Sequence, residues 1–135
     1  MRPRGDESEL KLRGRVICGG KAEGEALVTS QPISFYGGVS PQSGEIVERG
    51  HELQGQLLKD RVLVFPYGKG STVGSYILYR LKKGGVAPSA IVNQKCEPIV
   101  AVGAIISEIP CVDLVDITKI GRGSRVKVDG DTVRF

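Results

Sequence analysis

One stretch constrains the fold more than any other: RVLVFPYGKGSTVGSYILYRLKKGG, running from Arg61 to Gly85. Arg61 to Phe65 is short and almost wholly apolar, which predicts a strand covered on both faces. Pro66 supplies no N–H to a ladder and closes that strand. A glycine-rich turn follows, Tyr67-Gly68-Lys69-Gly70-Ser71-Thr72, carrying one cation and two hydroxyls. From about Val73 the period becomes helical, with Val73, Ile77, Leu78 and Leu81 on one face and Arg80, Lys82 and Lys83 solvated. Gly84-Gly85 offers the positive φ that commonly ends a helix. Strand, glycine-rich turn and helix in that order aim free backbone N–H groups above the turn. An anion, or a side chain that must become anionic, is stabilised there. The plainer alternative is a turn that uses glycine only to turn, with Ser71 or Thr72 as a simple helix cap, and spacing alone leaves both open. A P-loop is excluded, because that pattern needs Ser or Thr directly after Gly-Lys and Gly70 intervenes.

The rest of the chain bounds what this unit belongs to. Its 135 residues make one domain, which buries roughly two-thirds of the surface its unfolded chain exposes. With no Trp, the core must come from Val, Ile and Leu, and 19 glycines favour short strands and tight turns. No apolar run approaches the ~20 residues of a membrane span and no signal peptide opens the chain, so a cytoplasmic protein is expected. The net charge of +4 is mild. The densest basic piece, Lys119, Arg122, Arg125 and Lys127, lacks the stacking aromatics or reading helix of a nucleic-acid site. It reads as a solvated face or a rim for an acidic partner. Cys18, Cys96 and Cys111 form no CxxC pair, which argues against a disulfide framework and a self-contained metal or cluster site; apolar filling is expected of them. The sole histidine, His51, lacks an evident partner and reads as a hydrogen-bonding or capping group.

In chain order, residues 1–10 are charged, aperiodic and read as a flexible tail before a domain at 11–135. Strands are expected from Lys11 to Cys18, Gly24 to Ser30, Ala90 to Asn93 and Cys111 to Ile117. Ile99 to Ile106 (IVAVGAII) reads as a further buried strand, with a short buried helix as the alternative. Gln31 to Gly50 is a long irregular loop, expected to be functional, with Phe35 and Tyr36 exposed as interface anchors. Arg125 to Val128 and Thr132 to Phe135 flank Asp129-Gly130-Asp131, a strong hairpin signal. The sum is seven to nine short strands, one or two helices, a parallel crossover in the middle and hairpins at both ends. That is a mixed α/β fold of barrel-like or sandwiched character.

The run from Ser34 to Ile105 resembles the swivelling domain of the aconitase X family. The likeness is densest at Gly37-Gly38-Val39, at His51 and Leu53, at VLVFPYGKGS (Val62 to Ser71) and at APSAIVN (Ala87 to Asn93). It implies a swivelling β/β/α domain that closes over a cluster-binding large subunit, the pair forming a heterodimer. The implied cofactor is a [4Fe-4S] cluster held by the large subunit and not by this chain. The implied activity is that of a hydro-lyase: dehydration of (R)-5-phosphomevalonate to trans-anhydromevalonate 5-phosphate in the archaeal mevalonate pathway. Ser71 is implied as the catalytic base, with Lys69 beside it. Gly68, Gly70 and Thr72 are implied to meet the small phosphorylated hydroxy acid. Many relatives carry Arg at the position of Lys69, and Lys lacks the bidentate fork that would clamp a carboxylate.

The chemistry suits the residues. A serine hydroxyl is a weak base, so its alkoxide needs the backbone N–H groups of Gly70 to Val73, the helix start and the Lys69 ammonium. An iron with an open coordination position on the partner would assist the departing hydroxyl. Two other readings stay open. One is a non-catalytic anion-binding or assembly domain using the same turn, and the other is a hydroxyproline-dehydrating enzyme of the same family. Neither nucleic acid nor membrane is an expected partner.

Overall fold

The structure is a computed structural model describing residues 10–135. The tail expected at 1–10 lies outside the described residues except for Leu10, which exchanges backbone hydrogen bonds with Phe135 at 2.7 and 3.0 Å. Eight strands form one sheet: β1 (Lys11–Arg13), β2 (Arg15–Cys18), β3 (Lys21–Val28), β4 (Arg61–Phe65), β5 (Ala90–Asn93), β6 (Cys111–Asp113), β7 (Arg125–Asp129) and β8 (Thr132–Arg134). Helical segments are α1 (Phe35–Gly38, a single kinked turn), α2 (Gly74–Lys83) and α3 (Pro98–Ser107). The strand order is β1-β8-β7-β3-β4-β5-β6-β2, with β3, β4, β5 and β6 mutually parallel and the remaining pairs antiparallel.

The two ends of that order are consecutive in sequence. The strand expected from Lys11 to Cys18 breaks at Gly14, and its halves pair with opposite edges of the sheet, β1 with β8 and β2 with β6. One segment thus closes the sheet into a barrel. Gly14 is required at the break because a Cβ there would run into the Asp113 carbonyl oxygen. The expected hairpin at the N-terminal end does not form, since β1 and β2 each find a partner far away in sequence. The C-terminal hairpin does form: β7 and β8 pair Asp129 with Thr132, and Gly130 (φ 59) takes the first loop position.

β4 shows why a nearly continuous apolar run was needed. Val62 and Val64 face one core with Ala26, Val92, Val112, Val126 and Val133, inside the barrel. Leu63 and Phe65 face a second core with Ile77, Leu78, Leu81, Val100 and Ala104, under the helices. The closed sheet is the mixed α/β, barrel-like fold read from the sequence, and with the helical layer over it makes the β/β/α architecture that the family resemblance implied.

Four local readings are corrected. Ile99 to Ile106 is not a strand but lies within α3. Glu97 accepts hydrogen bonds from the N–H groups of Ile99 and Val100 (2.7 and 3.0 Å), and Pro98 occupies the first helical turn, an N-terminal signature directly before the apolar run. Val73 is not on the buried helical face: it is the N-cap of α2 and exposed, while Ile77, Leu78 and Leu81 are buried as expected. The strand from Cys111 ends at Asp113, because Leu114 takes φ 59 and Asp116 then caps a 3₁₀ turn at Ile117–Lys119. Phe35 is buried, edge-to-face with Phe65 at 6.0 Å, whereas Tyr36 is exposed. No helix among the described residues is long and apolar enough to cross a membrane.

Candidate functional site

The glycine-rich turn sits at the carboxyl end of β4, among parallel strands, where α/β sheets generally receive ligands. Gly68 forms a parallel bridge with Ile33, and the Lys69 N–H donates to the Ile33 carbonyl at 3.0 Å. Gly70 has φ 89, a conformation that favours glycine, and a Cβ on it would lie 2.5 Å from Ser34 Oγ. Gly68 is equally confined, on the other flank: its Cβ would lie 2.5 Å from Glu97 Oε1 and 2.6 Å from Val100 Cγ2. Both glycines are thus explained by close approach of the protein's own atoms, before any ligand is considered.

Ser71 and Thr72 are exposed, and neither is the N-cap of α2. The Ser71 hydroxyl accepts a hydrogen bond from the Val73 N–H at 3.2 Å, and the Ser71 carbonyl accepts from the Gly74 N–H at 2.9 Å. Among the described residues, the N–H groups of Gly70, Ser71 and Thr72 have no acceptor. Three donors without a partner, on exposed residues, therefore lie beside one serine hydroxyl.

The long loop expected to be functional is ordered and packs on this turn. His51 ties its ends together. Its Nδ1 accepts from the Leu53 N–H at 3.0 Å, so Nε2 carries the proton it donates to the Pro32 carbonyl at 3.2 Å. The ring is buried and both nitrogens are satisfied, a structural role. From the same loop, Glu48 Oε2 accepts from Lys69 Nζ at 3.0 Å. Glu48, Ser34 and Glu97 are the residues that sequence reasoning missed at this site. Glu97 had a signal, an acidic residue directly before proline at a helix start. Glu48 had none, since only the folded loop brings it to Lys69. A cavity of about 180 Å³ touches Lys69 on one side of the turn, and one of about 280 Å³ touches Tyr67 on the other.

The cysteines, scattered in sequence, approach one another in space. Cys18 stands opposite Cys111 across β2 and β6, Cys18 and Cys96 both pack against the core that contains Cys111, and the Cys96 thiol donates to the Glu97 carbonyl at 3.6 Å. The neighbouring Cys96, then burial, pushes the Cys111 thiol well above its ordinary range. Cys111 is the apolar filler expected, whereas Cys18 and Cys96 are only partly buried. Among the described residues, no group of three or more His, Cys, Asp or Glu is placed to hold a metal ion. Further along the loop, Glu52 is held below the ordinary carboxylate range, first by the Thr29 hydroxyl, then by the Ser30 N–H.

The family model of the aconitase X swivel domain matches residues 11–135. The chain belongs to that family. This swivel domain is 55% identical over 122 residues to the phosphomevalonate dehydratase small subunit of Thermococcus sibiricus, covering 90% of this chain and 94% of that one. To the protein of the same name from Methanosarcina acetivorans it is 56% identical over 124 residues, covering 90% and 86%. Among solved structures, the swivel domain matches the crystal structure of Thermococcus kodakaraensis aconitase X in its holo-form. The TM-score is 0.90 at 52% identity, covering 92% of this chain and 96% of that one. The closed barrel, the helical layer and the turn at the end of β4 are accordingly features of an aconitase X swivel domain.

Proposed function

We propose that this chain is the small subunit of a hydro-lyase that dehydrates (R)-5-phosphomevalonate to trans-anhydromevalonate 5-phosphate. Residues 11–135 act as one swivelling domain that closes over a large subunit. The observation that carries the reading is the turn itself: an exposed Ser71 hydroxyl beside the free N–H groups of Gly70, Ser71 and Thr72. Relatives at this level of identity that bear the phosphomevalonate dehydratase name support that substrate.

Ser71 takes the proton from the carbon next to the substrate carboxylate. Its alkoxide is stabilised by the N–H groups of the turn, the start of α2 and the Lys69 ammonium. Thr72 offers a second hydroxyl to the phosphorylated substrate, and Gly68 and Gly70 keep the turn free of side chains at its approach. The residues of this chain do not fit the [4Fe-4S] cluster, since Cys111 is sealed in the core against Cys96. The cluster belongs to the large subunit.

Co-expression with the large subunit and assay on 5-phosphomevalonate test this directly. The complex is expected to dehydrate that substrate, and the isolated chain to be inert and to gain no cluster absorbance on anaerobic reconstitution with iron and sulfide. An active, stably clustered isolated chain would overturn the assignment. Turnover of a hydroxyproline isomer in place of 5-phosphomevalonate would change the substrate.

The partner surface follows from what the turn exposes. Tyr36, Tyr67, Val73 and Tyr76 are 55%, 47%, 45% and 67% exposed around Ser71, an apolar and aromatic rim of the kind that anchors an interface. Hydrogen exchange is expected to slow across residues 34–48 and 67–76 when the large subunit is added. Unchanged protection in both segments would move the contact elsewhere.

A further inference from the structure

We propose that Glu48 is a positioning residue for this site, whose carboxylate fixes the Lys69 ammonium beside the Ser71 turn. The inference rests on the functional reading of that turn and adds a residue to it. Lys69 is held at both ends by one loop: its N–H by the Ile33 carbonyl at 3.0 Å and its Nζ by Glu48 Oε2 at 3.0 Å. The Glu48 backbone is itself fixed, its N–H donating to the Gly38 carbonyl and its carbonyl accepting from the His51 N–H, both at 3.2 Å. His51 in turn is locked between Leu53 and Pro32. A long, flexible lysine is thereby pre-organised on a rigid base, which removes ordering from the reactive step.

The other oxygen separates a functional pair from a merely stabilising one. Glu48 Oε1 is buried and has no hydrogen-bond partner, and Gly38 makes room for it: a Cβ there would lie 3.1 Å away. Lys69 remains 45% exposed and Glu48 26%, so the ion pair contributes little to folding. A buried acceptor left unsatisfied lowers that contribution further. An arrangement that is poor for stability yet sits on the cation of the turn is what a site retains for its chemistry. The neighbouring ionisable groups that line the same cavity are Arg49 and His51, and neither is bonded to Glu48 through its side chain.

Two measurements test this. In the assembled complex, Glu48→Gln is expected to leave subunit association and melting temperature unchanged or raised while turnover falls about tenfold. In a Lys69→Ala background, Glu48→Ala is expected to change turnover by less than about twofold, because it has nothing left to position. Independent, multiplying losses would overturn the proposal. On the isolated full chain, acetic anhydride labelling followed by mass spectrometry is expected to modify Lys69 several-fold faster in Glu48→Gln than in the wild type, with Lys21 unchanged. An unaltered Lys69 rate removes Glu48 as its anchor and leaves the Ser71 reading intact. Full turnover in Lys69→Ala removes both Lys69 and Glu48 from the mechanism, whatever the labelling shows.

Discussion

Replacing Ser71 by Ala is expected to lower turnover of the assembled enzyme by a factor on the order of 10² or more, the usual scale for losing a positioned acid–base group. The fold should stay nearly intact. Ser71 is exposed, and its hydroxyl has one local bond, accepted from the Val73 N–H at 3.2 Å. Removing one local bond of this kind at an exposed turn costs about 0.5–1.5 kcal/mol at most. The backbone bond from the Gly74 N–H to the Ser71 carbonyl, 2.9 Å, survives the substitution and holds the turn. Substrate affinity should change far less than turnover, since proton removal is felt in the transition state. Lys69→Ala should lower turnover as well, through the lost ammonium, and Thr72→Ala should be milder. Steady-state kinetics with thermal melts on the complex decide the matter. A Ser71 that serves only to shape the turn gives the reverse pattern, a lower melting temperature with turnover retained. Near-wild-type turnover in Ser71→Ala would remove it from the mechanism.

The central unit was legible because its signals are local and agree with one another. Arg61–Phe65 is apolar at every position but the first, Pro66 ends it, and Gly85 (φ 74) follows the last turn of α2. What escaped the sequence depends on contacts between distant segments. The barrel closes through Gly14, whose need for space comes from Asp113, nearly a hundred residues on. α3 was ambiguous because the run from Ile99 to Ile106 is apolar on every side. Val102, Ile105 and Ile106 remain exposed in the isolated chain, so no periodicity marks a buried face. Only the Glu97-Pro98 pair distinguished helix from strand, and that signal is carried by two residues. The same limit applied at the site. The hydroxyls and the cation of the turn could be read in place, whereas Glu48 and Ser34 reach it from a loop whose path the sequence left open.

Gly68→Ala is expected to damage stability and turnover together, because this position joins the turn to the helix that the sequence left ambiguous. A methyl group there would meet Glu97 Oε1 at 2.5 Å and Val100 Cγ2 at 2.6 Å. Neither neighbour can yield freely. Glu97 caps α3 by accepting from the N–H groups of Ile99 and Val100, and Val100 is wholly buried in the core under the helices. Displacing the cap costs about 0.5–2 kcal/mol, and overpacking the core typically costs 1–3 kcal/mol. The remaining way out is for the turn to move, and Ile33 already holds it on its other side by the bridge to Gly68 and the bond from the Lys69 N–H. A shift of the Ser71 hydroxyl by a fraction of an ångström to an ångström is enough to lower turnover by about 10–100-fold. Gly121→Ala is the control: its Cβ would meet nothing within 4 Å, and little change is expected. Shortening the obstructing side chain supplies the rescue. Glu97→Ser keeps a capping oxygen while vacating the space, so Gly68→Ala/Glu97→Ser should recover part of the lost turnover and melting temperature. A Gly68→Ala complex with wild-type melting and turnover would show that the turn tolerates a side chain against α3. The tight seating of the turn between Ile33 and Glu97 would then have no part in placing Ser71.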